Sequence, residues 1–70
     1  MEYLYAITVS YDGNAPHWTG RYSDALTAVN EYNKHIDWGF ADEYSTVNLS
    51  EPNGKMHTKN FYRNGKVSVK

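Results

Sequence analysis

The sequence predicts a small α+β domain in β-α-β-β-β order, a two-layer sandwich of one helix packed on a mostly antiparallel four-stranded sheet. Three observations carry that expectation. Tyr3 to Tyr11 alternates in a two-residue period, with Tyr3, Tyr5, Ile7, Val9 and Tyr11 on one face and Leu4, Ala6, Thr8 and Ser10 on the other. Further on, between Tyr22 and Ile36, the apolar spacing changes to three and four residues. From Val47 to Val69, two Asn-Gly pairs, Asn53-Gly54 and Asn64-Gly65, each separate segments that read as strands. Asn-Gly favours the two-residue type I′ hairpin, which needs positive φ at both central positions.

Taken in order, the first strand ends at the turn-forming run Asp12-Gly13-Asn14-Ala15-Pro16, and His17-Trp18-Thr19-Gly20 continues as an irregular loop. Ser23 is the expected helix N-cap, with Asp24 following where the helix dipole favours an anion. Tyr22, Ala25, Leu26, Val29, Tyr32 and Ile36 share one helical face, and Gly39 is the expected stop. Two-residue loops at both Asn-Gly pairs put Val47, Leu49, Met56, Tyr62, Val67 and Val69 on the face under the helix. His57, Lys59, Phe61, Lys66 and Lys70 then stand on the open face.

Seventy residues form a single domain, 1–70, and a chain of that size buries only about 60% of the surface its unfolded form exposes, so the core is thin. The content of 40% hydrophobic and 16% aromatic residues is too high for a disordered segment. No apolar run approaches the ~20 residues of a membrane span, so no membrane partner is expected. There are no cysteines, which removes disulfides and thiolate metal sites. The start lacks a basic region followed by an apolar segment, and the expected setting is cytoplasmic. Charge is unevenly placed: residues 1–54 carry eight acids and two bases, while residues 55–70 carry five bases and no acid. Such halves can meet different partners, meet each other in a second copy as a homodimer, or cancel within one fold.

No spacing links the tyrosines, histidines and acids into a catalytic constellation, no His/Asp/Glu set has metal-ligand spacing, and no glycine-rich phosphate loop is present. The expectation is therefore a non-enzymatic protein with no cofactor. Two binding surfaces suggest themselves. Trp18, Trp38 and Phe40 are large aromatics outside regular elements, and Asp42 and Glu43 beside them supply an acidic rim suited to a protein partner with a basic surface. The bland alternative is that the tryptophans close the ends of a small core. The second surface is the open sheet face, where His57, Lys59, Phe61, Arg63 and Lys66 would stack bases and hold phosphates of a nucleotide or single-stranded nucleic acid. Against it, one exposed aromatic on a solvated sheet needs no explanation, and the overall acidity opposes a polyanion.

The run Tyr44-Ser45-Thr46-Val47-Asn48-Leu49, then Pro52-Asn53-Gly54-Lys55-Met56, then Phe61-Tyr62-Arg63-Asn64-Gly65-Lys66 resembles small uncharacterised accessory proteins of bacterial viruses, in size and hairpin-rich layout. That resemblance implies a host-cell cytoplasmic setting and a job of binding and modulating a host protein. It transfers no functional residue.

Overall fold

A computed structural model describes residues 4–70 of the chain; Tyr3, which the alternation places on the first strand, lies outside them. The order is β1 (Tyr5–Tyr11), β2 (Pro16–Tyr22), α1 (Ala25–Lys34), β3 (Tyr44–Ser50), β4 (Met56–Tyr62) and β5 (Val67–Val69). The strands form one five-stranded antiparallel sheet in the order β2-β1-β3-β4-β5. The four-strand expectation thus misses β2. Pro16 and Gly20 lower its strand propensity, but β2 is an edge strand, where a missing ladder N–H is tolerated. With β2 present, no parallel crossover is needed: β1 pairs with both β2 and β3 in antiparallel register.

The turns reverse the expected assignment. The positive-φ pair is Asp12-Gly13 (φ 55 and 75), closed by Asn14 N–H donating to the Tyr11 carbonyl at 3.0 Å, as a type I′ hairpin requires. Among the described residues Asp12 is the one non-glycine with positive φ, so Asn53 and Asn64 do not occupy the left-handed region. There the Gly54 and Gly65 N–H groups donate to the Glu51 and Tyr62 carbonyls, and both glycines take the left-handed conformation, φ 88 and 92. Each loop therefore has three residues, a type I turn followed by a glycine bulge. Glu51 then pairs with Lys55, and Tyr62 with Lys66.

One extra loop residue shifts the register by one, and a one-residue shift turns every side chain of β4 to the other face. Leu49 faces His57, Val47 faces Lys59 and Ser45 faces Phe61. His57, Lys59 and Phe61 therefore lie on the helix side, while Met56 and Tyr62, expected in the core, lie on the open side. Val67 and Val69 stay on the helix side, opposite Phe61 and Lys59. The open face instead carries uncharged pairs: Thr46 donates to Asn60 at 2.6 Å and Thr58 to Asn48 at 2.7 Å.

The helix N-cap is Asp24, one residue beyond the expected Ser23; its carboxylate accepts from the backbone N–H and the hydroxyl of Thr27, both at 3.0 Å. The helix ends at Lys34, before Gly39. Of the expected Tyr22-Ala25-Leu26-Val29-Tyr32-Ile36 face, Tyr32 is buried and Tyr22 packs against the core, whereas Leu26, Val29 and Ile36 are exposed and Ala28, outside that face, is the other buried helix residue. Ala28 has no side chain beyond Cβ and so lets the helix lie close to the sheet. Ile7, Val9, Val47, Leu49 and Phe61 complete the core below it. The helix lies over β1, β2 and β3; from β4, Phe61 is buried in the core and Lys59 reaches the helix end, while Val67 and Val69 of β5 are exposed.

Candidate functional site

An open groove of about 270 Å³ lies where the end of β1, the start of β2 and the helix C-terminus meet, lined by Val9, Tyr11, His17, Trp18, His35 and Phe40. Its parts are held by short-range chemistry. Tyr11 forms one wall, with its ring 4.8 Å from the His17 ring and edge-on to Phe40 at 6.5 Å. Gly39, at φ 59, can follow the Tyr11 ring closely because a Cβ there would sit 2.9 Å from the Tyr11 hydroxyl. Trp18 lies opposite Val9 on β2 and packs against His35, ring centres 5.8 Å apart. Gly20 makes room for that indole: a Cβ at Gly20 would fall 2.4 Å from Trp18 Cη2.

Asp12 anchors the far rim. From the hairpin tip its carboxylate accepts from the N–H groups of Asp42 (2.9 Å), Glu43 (2.8 Å) and Tyr44 (3.2 Å). These bonds to the ionised form hold its pKa below the ordinary carboxylate value. Asp37 accepts from Gly39 N–H at 2.9 Å, and Ala41 N–H returns to the Trp38 carbonyl at 3.1 Å. The connection from helix to β3 is thereby tied at both ends, with buried Ala41 between, and Phe40 is left 88% exposed at its crest.

Lys59 crosses from β4 to the helix C-terminus, donating to the carbonyls of Tyr32 (2.8 Å) and His35 (3.4 Å), with its ammonium 3.9 Å from the centre of the Tyr32 ring. Burial lowers the pKa of Lys59. Burial, then the Lys59 charge, lowers that of His35, so the groove wall carries a neutral imidazole at neutral pH. The groove is an aromatic cleft with no acid, lysine or arginine among its lining residues, beside the acid-bearing segment of Asp37, Asp42 and Glu43.

The five residues expected to bind protein separate. Trp18 and Phe40 come together across the groove. Trp38 turns inward and packs on the core, the bland alternative for that tryptophan. Asp42 and Glu43 are exposed, and the Asp42 carbonyl lies 3.4 Å from the Arg63 guanidinium. Trp18 itself is on β2, not in a loop. The residues expected on an open basic face separate too: Phe61 is only 6% exposed, Lys59 is engaged at the helix end, and His57 lies 2.7 Å from Glu51 on the helix side. Arg63 and Lys66 remain exposed at the β4-β5 turn. The register shift dismantles the stacking platform that surface needs. Tyr11 and His35 were not singled out, because only the fold sets an internal strand residue and a helix cap beside Trp18.

Among the described residues no group of three or more His, Asp or Glu could hold a metal ion, and no helix is long and apolar enough to cross a membrane. Comparison with protein-family models, curated proteins and solved structures returns no match.

Proposed function

We propose that this chain is a small protein-binding module that takes one apolar side chain of a partner segment into the Trp18-Phe40 groove. Basic residues flanking that anchor meet Asp37, Asp42 and Glu43. The observation that carries the reading is the groove itself, walled by aromatic rings, with Phe40 88% exposed beside it. A side chain that large held in solvent by a tied backbone gains on contact, because burying it is worth about 1.5–3 kcal/mol. The action is stoichiometric and non-enzymatic. The resemblance to viral accessory proteins supports a host protein as the partner and the host cytoplasm as the setting.

The test titrates two short peptides that share a Leu-Phe anchor, flanked by lysines in one and by glutamates in the other, and follows backbone amide shifts by NMR. The lysine peptide is expected to shift His17, Trp18, His35 and Phe40, and Phe40→Ser to weaken it roughly tenfold with the fold intact. Equal affinity of the two peptides, or shifts confined elsewhere, would refute the proposal.

A further inference from the structure

Apart from Val9, every side chain lining the groove carries an aromatic ring, and the local structure explains why so many converge. In the β1-β2 ladder Val9 pairs with Trp18 and Ser10 with Pro16, so His17 is an extra residue on β2 with no partner across the ladder. A bulge of this kind breaks the alternation of a strand, which lets His17 and Trp18, neighbours in sequence, line the same groove. The Tyr11 and Phe40 rings meet at 82° and those of Trp18 and His35 at 50°, so neither pair is stacked in parallel. Lys59 contributes nothing to the lining, its ammonium being taken up by the Tyr32 and His35 carbonyls.

Carboxylates gather outside the lining. Asp12 follows Tyr11 and is held at the N–H groups of Asp42 and Glu43, and Asp37 accepts from the N–H of Gly39, next to Phe40. None of these four acids forms an ion pair among the described residues. Their charge favours a cation in the groove, while the lining itself offers that cation ring faces and no carboxylate.

We infer that the side chain this groove takes from its partner is a methylated ammonium, a trimethylated lysine. The face of an aromatic ring carries partial negative charge and attracts a cation within about 6 Å of its centre. Three methyl groups give that cation an apolar surface, whose removal from water is favourable. An ordinary lysine or arginine would bring three or five N–H donors to a lining without a carboxylate, and each donor left unpaired there costs free energy. The quaternary head has no donor to satisfy. A side chain carried on a peptide suits the site better than a free small molecule, because the acids lie beside the open groove, where the basic neighbours of the anchor reach them. The inference rests on the protein-binding reading of this groove and specifies its anchor.

The test uses three lysine-flanked peptides of one sequence, titrated by calorimetry alongside the Leu-Phe peptide. Their central residue is trimethyl-lysine, lysine, or the neutral isostere of trimethyl-lysine in which carbon replaces the charged nitrogen. The trimethyl-lysine peptide is expected to bind about tenfold tighter than either of the others. Phe40→Leu keeps an apolar side chain at an exposed position and removes the ring. It is expected to erase most of that advantage while leaving the affinity for the neutral isostere within about twofold. A trimethyl-lysine peptide no tighter than its isostere, a Phe40→Leu variant that keeps the full advantage, or free choline bound as tightly as the peptide would each overturn the inference. In those cases binding of the lysine-flanked Leu-Phe peptide leaves the protein-binding reading standing, whereas failure of every peptide overturns both.

Discussion

Replacing Lys59 by methionine keeps an unbranched apolar side chain at this position and removes the ammonium. That group serves the end of a ten-residue helix, whose last carbonyls have no partner within the helix. It donates at 2.8 Å to the Tyr32 carbonyl and at 3.4 Å to that of His35, and it stands 3.9 Å from the Tyr32 ring centre. A hydrogen bond from a charged donor is worth about 1.5–3 kcal/mol, a cation at a helix C-terminus about 0.3–1, and a cation over a ring about 0.5–1. The three overlap, since one charge makes all of them, and the desolvation that lowers the Lys59 pKa opposes them. About 1–2 kcal/mol remains, which in a domain of this size is a fall in Tm of roughly 5–15 °C. Thermal and urea denaturation of Lys59→Met, followed by far-ultraviolet circular dichroism, measures it. On the open face that a two-residue Asn53-Gly54 loop would produce, the same change is a surface substitution worth less than about 0.5 kcal/mol. A Met variant as stable as wild type would therefore refute both the helix-capping role and the register behind it.

Three further outcomes are expected. Gly20→Ala forces the Trp18 indole and the Tyr22 hydroxyl aside, since its Cβ would lie 2.4 and 2.7 Å from them; indole fluorescence should shift and peptide affinity fall about tenfold, with stability changed by less than about 1 kcal/mol. Tyr32→Phe should leave stability unchanged or raise it by about 1 kcal/mol in urea titrations, because the Tyr32 hydroxyl is buried without a hydrogen-bond partner. His35 has its folded-state pKa lowered, so on acidification the unfolded chain binds that proton first. Stability should decline as pH falls from about 6.5 through the folded-state pKa, then level off, and His35→Gln should remove that slope. The lowered pKa values of Asp12 and Asp24 act in a separate window, where stability is lost below about pH 4.

Much of the local structure was legible from residue order. The alternation from Tyr5 to Tyr11 and from Tyr44 to Ser50 reads directly as strands because the side-chain period of a strand is two. The helix span was legible to within a residue or so at its start, where adjacent Ser23 and Asp24 are both good caps and only the Thr27 contact selects the aspartate. Its rotation was not legible: Leu26 and Ile36 fit an apolar stripe as well as Ala28 does, and close approach to the sheet selects the small residue. In the candidate site, the pull of Trp18 and Phe40 toward a surface was legible from their aromatic character. Their meeting across one groove depends on β2, which the sequence pattern reads as a loop.

Sequence alone determined that the chain forms one helix and a hairpin-rich sheet, that the two Asn-Gly pairs turn the chain, and that basic charge collects after Lys55. The tertiary structure alone decided which face of β4 meets the helix. Asn-Gly suits a two-residue type I′ loop and a three-residue bulged loop alike. Burying Phe61 on the helix side and stretching Lys59 to the helix end selects the bulged form, and that one residue moves the aromatic and cationic side chains of β4 from an open platform into the support of the helix.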